Sequence, residues 1–312
     1  MSVRLVAGSR RVAIATEDGW FEPAAPSPRA VPEMAARIVK LHASLGEDLQ
    51  LFLGSMPIAV GGEEHREVVV RLEAQPRTIA LDGVLVRVAT VRDIELWQYE
   101  EHLRAQLAVV DAKGTLTQLP AHELVGPPVE HLSPVGARAC AAPKIQSLAS
   151  TGDAIVALLV ECNPEAPIRI ATYRWPGPTV TVQRLPSAHS LGFSPAQLVV
   201  SRTTRALVGA ADGTLVIGRV ASDGKFTVRS TLSGVTRVSH AALADDGAIW
   251  TLSFASDADH HDAWQVARDG EIVTIADPSG KPLAPSQLAF DELYGIVVIA
   301  STAGESWLLV ER

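Results

Sequence analysis

The densest run of side chains able to do chemistry is Asp257-Ala-Asp259-His260-His261-Asp262. Neutral imidazoles and carboxylates are the donors that zinc and manganese sites use, and one loop can bring several onto an ion. Asp257, Asp259, His260 and His261 would be that set. Adjacent side chains on an extended chain point to opposite sides, so His260 and His261 share an ion only where the loop turns. The same run also reads as a solvated polar loop. It lacks the alternating oxygens, central glycine and closing glutamate of an EF-hand. A second group sets Trp97 and Tyr99 among Glu95, Glu100, Glu101 and Arg104. Aromatic residues amid charges anchor protein interfaces, and the same spacing fits the apolar face of a short helix. A third, on the Ala121–Pro143 stretch, holds His122, Glu123, Glu130 and His131 beside Pro127-Pro128.

Other chemistry is excluded by spacing. His122-Glu123 has no second histidine where a zinc-protease helix needs one. Ser194, in Gly192-Phe-Ser-Pro-Ala196, lacks the second glycine of a nucleophile elbow. No glycine-rich phosphate loop occurs. Cys140 and Cys162 lack redox or zinc spacing and read as small buried apolar residues in a reducing compartment.

These groups need a scaffold, and the composition bounds it. The 312 residues are 47% hydrophobic and 20% charged, enough for a sizeable core and too apolar for disorder. A net charge of -8 argues against nucleic-acid binding, which needs clustered Lys and Arg. No apolar run approaches the ~20 residues of a membrane span. The N-terminus carries no secretory signal pattern, so a cytoplasmic location is expected.

The chain repeats a short unit. Ala149-Ser-Thr-Gly-Asp153 leads into Ile155–Leu159, and Leu243-Ala-Asp-Asp-Gly247 leads into Ile249–Leu252. Hairpin patterns follow: Leu107–Val110 with Thr115–Leu119, Ile170–Tyr173 with Thr179–Val182, Ile217–Val220 with Phe226–Val228, and Trp264–Val266 with Ile272–Ile275. Period-two alternation marks strands, and Asp-Gly pairs supply the positive φ of tight hairpins. Two hairpins per unit make a four-stranded antiparallel sheet of about 40–50 residues, the repeat size of a propeller blade.

On these residues the chain resembles the β-propeller superfamily, with bacterial WD40-like or sensor-type blades. No specific family signature is present. There is no Trp-Asp dipeptide, and Gly61-Gly62 is the only Gly-Gly pair. Asp245-Asp-Gly-Ala-Ile-Trp250 is similar to the turns of sensor-type propellers. The expected fold is all-β: a single-domain β-propeller over 1–312 with six blades, alternatively seven. An N-terminal strand closes the ring, and 121–143 is an interblade insertion. Units begin near Arg37, Ile79, Ile145, Leu198, His240 and Leu288. Pro32–Leu45 and Glu95–Leu107 are expected as short helical decorations.

Propeller loops fall on two ends, and here the long ones gather on one, including Arg92–Arg104, Ala121–Pro143 and Ser256–Asp262. The resemblance implies a non-catalytic scaffold or sensor module of a larger assembly. Its protein partner would contact Trp97, Tyr99, Glu100, Glu101, His122, Glu130 and His131. No cofactor is expected in that reading, and neither nucleic acid nor membrane is a partner. The alternatives are a metal-dependent propeller hydrolase or lyase using Asp257, Asp259, His260 and His261, and a small-ligand sensor using the central funnel. Propeller lactonases take asparagine ligands, and Asn163 is the sole asparagine of this chain.

Overall fold

A computed structural model describes residues 4–7, 12–16, 19–22, 29–30, 59–63, 66–71, 77–81, 84–91, 94–101, 104–110, 115–119, 144–151, 154–161, 164–174, 179–201, 203–256, 262–277, 279–291, 295–302 and 305–311. Strands dominate them and fall into antiparallel sheets. The first holds β1 (Arg4–Ala7), β2 (Val12–Thr16), β3 (Gly19–Glu22) and β4 (Arg29–Ala30). The second holds β5 (Ala59–Glu63), β6 (Arg66–Arg71) and β7 (Arg77–Leu81). The third holds β8 (Val84–Val91), β9 (Ile94–Glu101), β10 (Arg104–Val110) and β11 (Leu116–Leu119). The fourth holds β12 (Lys144–Ser150), β13 (Ala154–Val160), β14 (Pro167–Arg174) and β15 (Thr179–Ser187). A single helical turn, α1 (Ala188–Leu191), leads to the fifth: β16 (Ser194–Val200), β17 (Arg205–Ala211), β18 (Thr214–Val220) and β19 (Phe226–Ser233). The sixth holds β20 (Val235–Leu243), β21 (Ile249–Ser256), β22 (Asp262–Arg268) and β23 (Glu271–Val273). The last holds β24 (Ala284–Asp291), β25 (Gly295–Thr302) and β26 (Glu305–Glu311).

Within each sheet the strands pair in chain order, as consecutive hairpins dictate. The turns explain this locally. Asp212 and Gly213 have φ of 48° and 73°, and Asp269 and Gly270 have 50° and 85°. Two successive positive φ values are what a two-residue hairpin loop needs to follow the twist of its strands.

Burial follows strand position. Second strands such as β13, Ala-Ile-Val-Ala-Leu-Leu-Val, are buried on both faces because a sheet lies against each. Apolar residues then run without alternation. The fourth strand β19 is largely exposed. Alternate residues of one strand serve two cores. Leu207 packs with Leu158, Ile170, Phe193 and Leu198 between the fourth and fifth sheets. Val208, its neighbour, packs with Ile217, Val235, Val238 and Ile249 between the fifth and sixth. Trp250 and Leu252 pack with Val266, Leu288, Ile296 and Val298 between the sixth and last, with Trp264 against them.

Successive sheets also meet at their first strands: β8 with β12, β12 with β16, β16 with β20, β20 with β24, and β24 with β1. Polar side chains tie the sheets elsewhere. Arg205 on β17 donates to Thr172 Oγ1 (3.1 Å) and Gln183 Oε1 (3.1 Å) of the fourth sheet. Burial, then the charge of Arg174, holds the Arg205 pKa below the usual guanidinium value. Glu161 and Arg169, both buried, form an ion pair at 3.0 Å beside the β13–β14 connection. The amide of His189 in α1 donates to Pro164 O (3.2 Å) at that same connection.

Four expectations change. The N-terminal strand does not complete the last sheet: β1 pairs with β2 in a sheet of its own, and among the described residues the last sheet has three strands. Ile79 does not open a unit. It lies on β7, the final strand of the second sheet, and the third sheet begins at β8. Glu95–Leu107 is not helical, because its aromatic residues alternate with polar ones on β9, which pairs with β8 and β10. Arg92–Arg104 is therefore no long loop. The expected helix at Pro32–Leu45 and the 121–143 insertion lie outside the described residues. Among the described residues no helix is long and apolar enough to cross a membrane.

Candidate functional site

A repeated irregularity shapes the inner strands. The ladder between first and second strands slips by one residue between Leu85 and Arg87, Ile145 and Ser147, Pro195 and Gln197, Val238 and His240, and Pro285 and Gln287. Each slip is a β-bulge, which re-aims the side chains after it. Directly opposed residues of an antiparallel pair project to one face. Ser147 opposes Leu158, Gln197 opposes Val208, and His240 opposes Leu252. Each of these partners packs toward the following sheet. The residue after the bulge therefore faces the next inner strand.

At two of these positions the side chain stitches the sheets together. Leu198 N donates to Ser147 Oγ (3.2 Å), and Gln197 Nε2 donates to Ser239 O (3.3 Å). His240 takes the same position without making such a bridge. Its hydrogen bond among the described residues joins Nδ1 to Ser239 Oγ at 3.0 Å. Ser239 is itself the bulged residue, so the bulge supplies the group that orients the ring. Solvent reaches His240, yet the protein atoms crowding it hold its pKa below the ordinary histidine value. The imidazole is thus neutral near pH 7. With Nδ1 engaged by the serine hydroxyl, Nε2 is left for an incoming molecule. A neutral, oriented, accessible imidazole can take a proton from water or from an acidic carbon.

The residues nominated from sequence fall elsewhere. Trp97, Tyr99, Glu100 and Glu101 lie on β9, and Tyr99 is buried at 5% exposure. His122, Glu130 and His131 lie outside the described residues, as do Asp257, Asp259, His260, His261, Cys140 and Cys162. Asp262 begins β22 opposite Ser256. Among the described residues no group of His, Cys, Asp or Glu is arranged to hold a metal ion. In the sequence His240 marks only the start of a unit. Its signal is positional: Ser147-Leu148, Gln197-Leu198, His240-Ala241 and Gln287-Leu288 occupy one offset in four units.

The chain matches no family model and no curated protein sequence. Its fold resembles solved structures. One is a prolyl endopeptidase, at TM-score 0.56 and 14% identity, over 99% of this chain and 46% of that one. Another is a Bacteroides fragilis protein assigned as a 6-phosphogluconolactonase, at TM-score 0.47 and 12% identity, over 99% and 93% of the two chains. A third is virginiamycin B lyase from Staphylococcus aureus, at TM-score 0.44 and 12% identity, over 81% and 83%. The likeness is one of fold, and the fold is β-propeller-like. The expectation of a non-catalytic interaction scaffold is corrected. The solved structure that the chain matches at TM-score 0.56 is an enzyme, a prolyl endopeptidase.

Proposed function

We propose that this chain is a propeller enzyme of the hydrolase or lyase class, with its sheets as the blades of one ring. It acts on a small substrate at the inner-strand wall. His240 is its base. The observation that supports this reading is the accessible imidazole at a position where Ser147 and Gln197 are spent on bridging. In hydrolysis, Nε2 takes a proton from water as the water oxygen bonds to the substrate's carbonyl carbon. The tetrahedral adduct then expels its alkoxide, which recovers that proton from the imidazolium. In a lyase, Nε2 would instead take the proton of a carbon next to a carbonyl as the leaving group departs from the adjacent carbon.

The test is turnover of a panel of small lactones, carboxylic esters and β-substituted carbonyl compounds by wild type and His240→Gln. The reading expects at least one substrate to be turned over, and a rate at least 100-fold lower in the variant at unchanged Tm. Equal rates, or no turnover of any panel member, would overturn it. Chelation with EDTA, followed by Zn2+ or Mn2+, tests the separate proposal that Asp257, Asp259, His260 and His261 hold an ion. Loss and recovery of turnover would support that set.

A further inference from the structure

Three residues in register cross the sixth sheet: Arg237 on β20 opposes Phe254 on β21, which opposes Trp264 on β22. Opposed residues share a face, so the three form one ladder. The rings meet edge to face, with centroids 5.1 Å apart. The Arg237 guanidinium carbon stands 5.4 Å from the Phe254 centroid and 5.2 Å from that of Trp264. Arg237 is exposed, and among the described residues no carboxylate pairs with it.

This differs from two arginines nearby, one on the fifth sheet and one on the sixth. Arg229 is paired with Asp269 at 2.7 Å, and Arg268 with Asp246. Arg237 is instead braced by π faces. These hold the guanidinium in place while its N–H donors stay unspent among the described residues. A fixed, unspent guanidinium fork is matched by the two oxygens of a carboxylate or phosphate.

The bulge at Ser239 links this ladder to His240. Three residues apart on a regular strand, Arg237 and His240 would face opposite ways. Because Ser239 is bulged, Arg237 opposes Phe254 and His240 opposes Leu252, which lie on one face of β21. The two are two rungs apart, about 7 Å along the strand at ~3.4 Å per residue.

We propose that Arg237, braced by Phe254 and Trp264, is the binding residue for an oxyanion on the substrate, a carboxylate or a phosphate. The substrate is then a small anionic molecule whose charged group sits about 7 Å from the reacting atom. This rests on the reading of His240 as the base.

The test follows the indole N–H resonance of Trp264, assigned with Trp264→Phe, during titration with inorganic phosphate, glutarate and, as the neutral control, glycerol. A saturable shift is expected with phosphate or glutarate and none with glycerol. The acid that binds tighter identifies the oxyanion. Arg237→Gln should weaken that binding at least 10-fold. Arg237→Lys should weaken it too, since an ammonium neither stacks nor forks. His240→Gln should leave it within about two-fold, since the guanidinium and not the imidazole holds the oxyanion. Absence of any saturable shift, equal binding by Arg237→Gln, or an equal response to glycerol would overturn the proposal. Those results would leave the turnover test of His240 standing. Loss of turnover evidence with oxyanion binding intact would defeat the base and not this site.

Discussion

The amide of Val12 donates a hydrogen bond of 2.7 Å to the Asp291 carboxylate, across 279 residues of chain. Val12 begins β2 in the first sheet, and Asp291 ends β24 in the last. Both residues are buried, Asp291 fully. One buried carboxylate therefore ties the two ends of the chain together, where β1 and β24 also touch.

Removing that acceptor strands a buried N–H. Asp291→Ala should cost about 2–3 kcal/mol, as expected for a lost hydrogen bond to a charged group with its donor left unsatisfied. Asp291→Asn keeps an oxygen acceptor and should cost less. Urea unfolding of both variants checks the order. Equal stability of Asp291→Ala and wild type would show that the tie contributes nothing.

The ion pair of Glu161 and Arg169 is buried, with side-chain exposures of 8% and 6%. Removing Glu161 takes a charge partner from the buried Arg169, so Glu161→Ala should cost about 3–5 kcal/mol. The double variant Glu161→Leu/Arg169→Met should recover most of the loss. Chemical denaturation of the single and double variants reads both effects.

Gly209 sits where two backbones press together. A Cβ there would lie 2.3 Å from Ser194 O and 3.1 Å from Pro195 Cα, the latter on the residue it pairs with across the ladder. Backbone cannot swing aside as a side-chain tip can. Gly209→Ala should therefore destabilise by about 2–3 kcal/mol, the upper part of the overpacking range. A thermal melt within a degree of wild type would contradict this.

Stability should also respond to pH through His240. Its folded pKa lies below 6.5 because surrounding protein atoms partly desolvate the ring. Between that lowered value and 6.5 the unfolded chain binds more protons than the folded one. Stability must then fall as pH drops through this window. The carboxylates of Asp246 and Asp277 act in a lower window. Asp246 is held below 3.8 first by the Ala248 amide and then by Arg268, and Asp277 first by the Ser279 hydroxyl. Their contribution is present above 3.8 and lost as pH falls through the lowered values. Unfolding midpoints measured from pH 7 to 4.5 should show a slope that His240→Gln reduces and that Asp246→Asn leaves in place.

Much of the fold could be read from alternation and turn chemistry. Ile145, Leu198, His240 and Leu288 all lie on first strands, as the unit spacing placed them. The hairpins at 170–182, 217–228 and 264–273 form as their period-two patterns require. The sheet boundary after β7 is harder to read. An Asp-Gly pair in the sequence looks the same whether it joins strands of one sheet or separates two sheets, so Asp82-Gly83 does not reveal that Ile79 ends the second sheet. With the sheet boundary hidden, the sequence of β9 reads as a loop. The site was illegible for a different reason. That His240 and Arg237 share a face depends on a bulge at Ser239, and hydrophobic periodicity carries no mark of a bulge.

The central claim, that His240 is an oriented base, is tested most directly by the 15N-edited imidazole spectrum of His240 between pH 4 and 8. A base at Nε2 requires the neutral ring to carry its proton on Nδ1, donated to Ser239 Oγ, and to titrate below 6.5. That tautomer and that midpoint are the predicted result. A proton on Nε2, or a midpoint at or above 6.5, would contradict it.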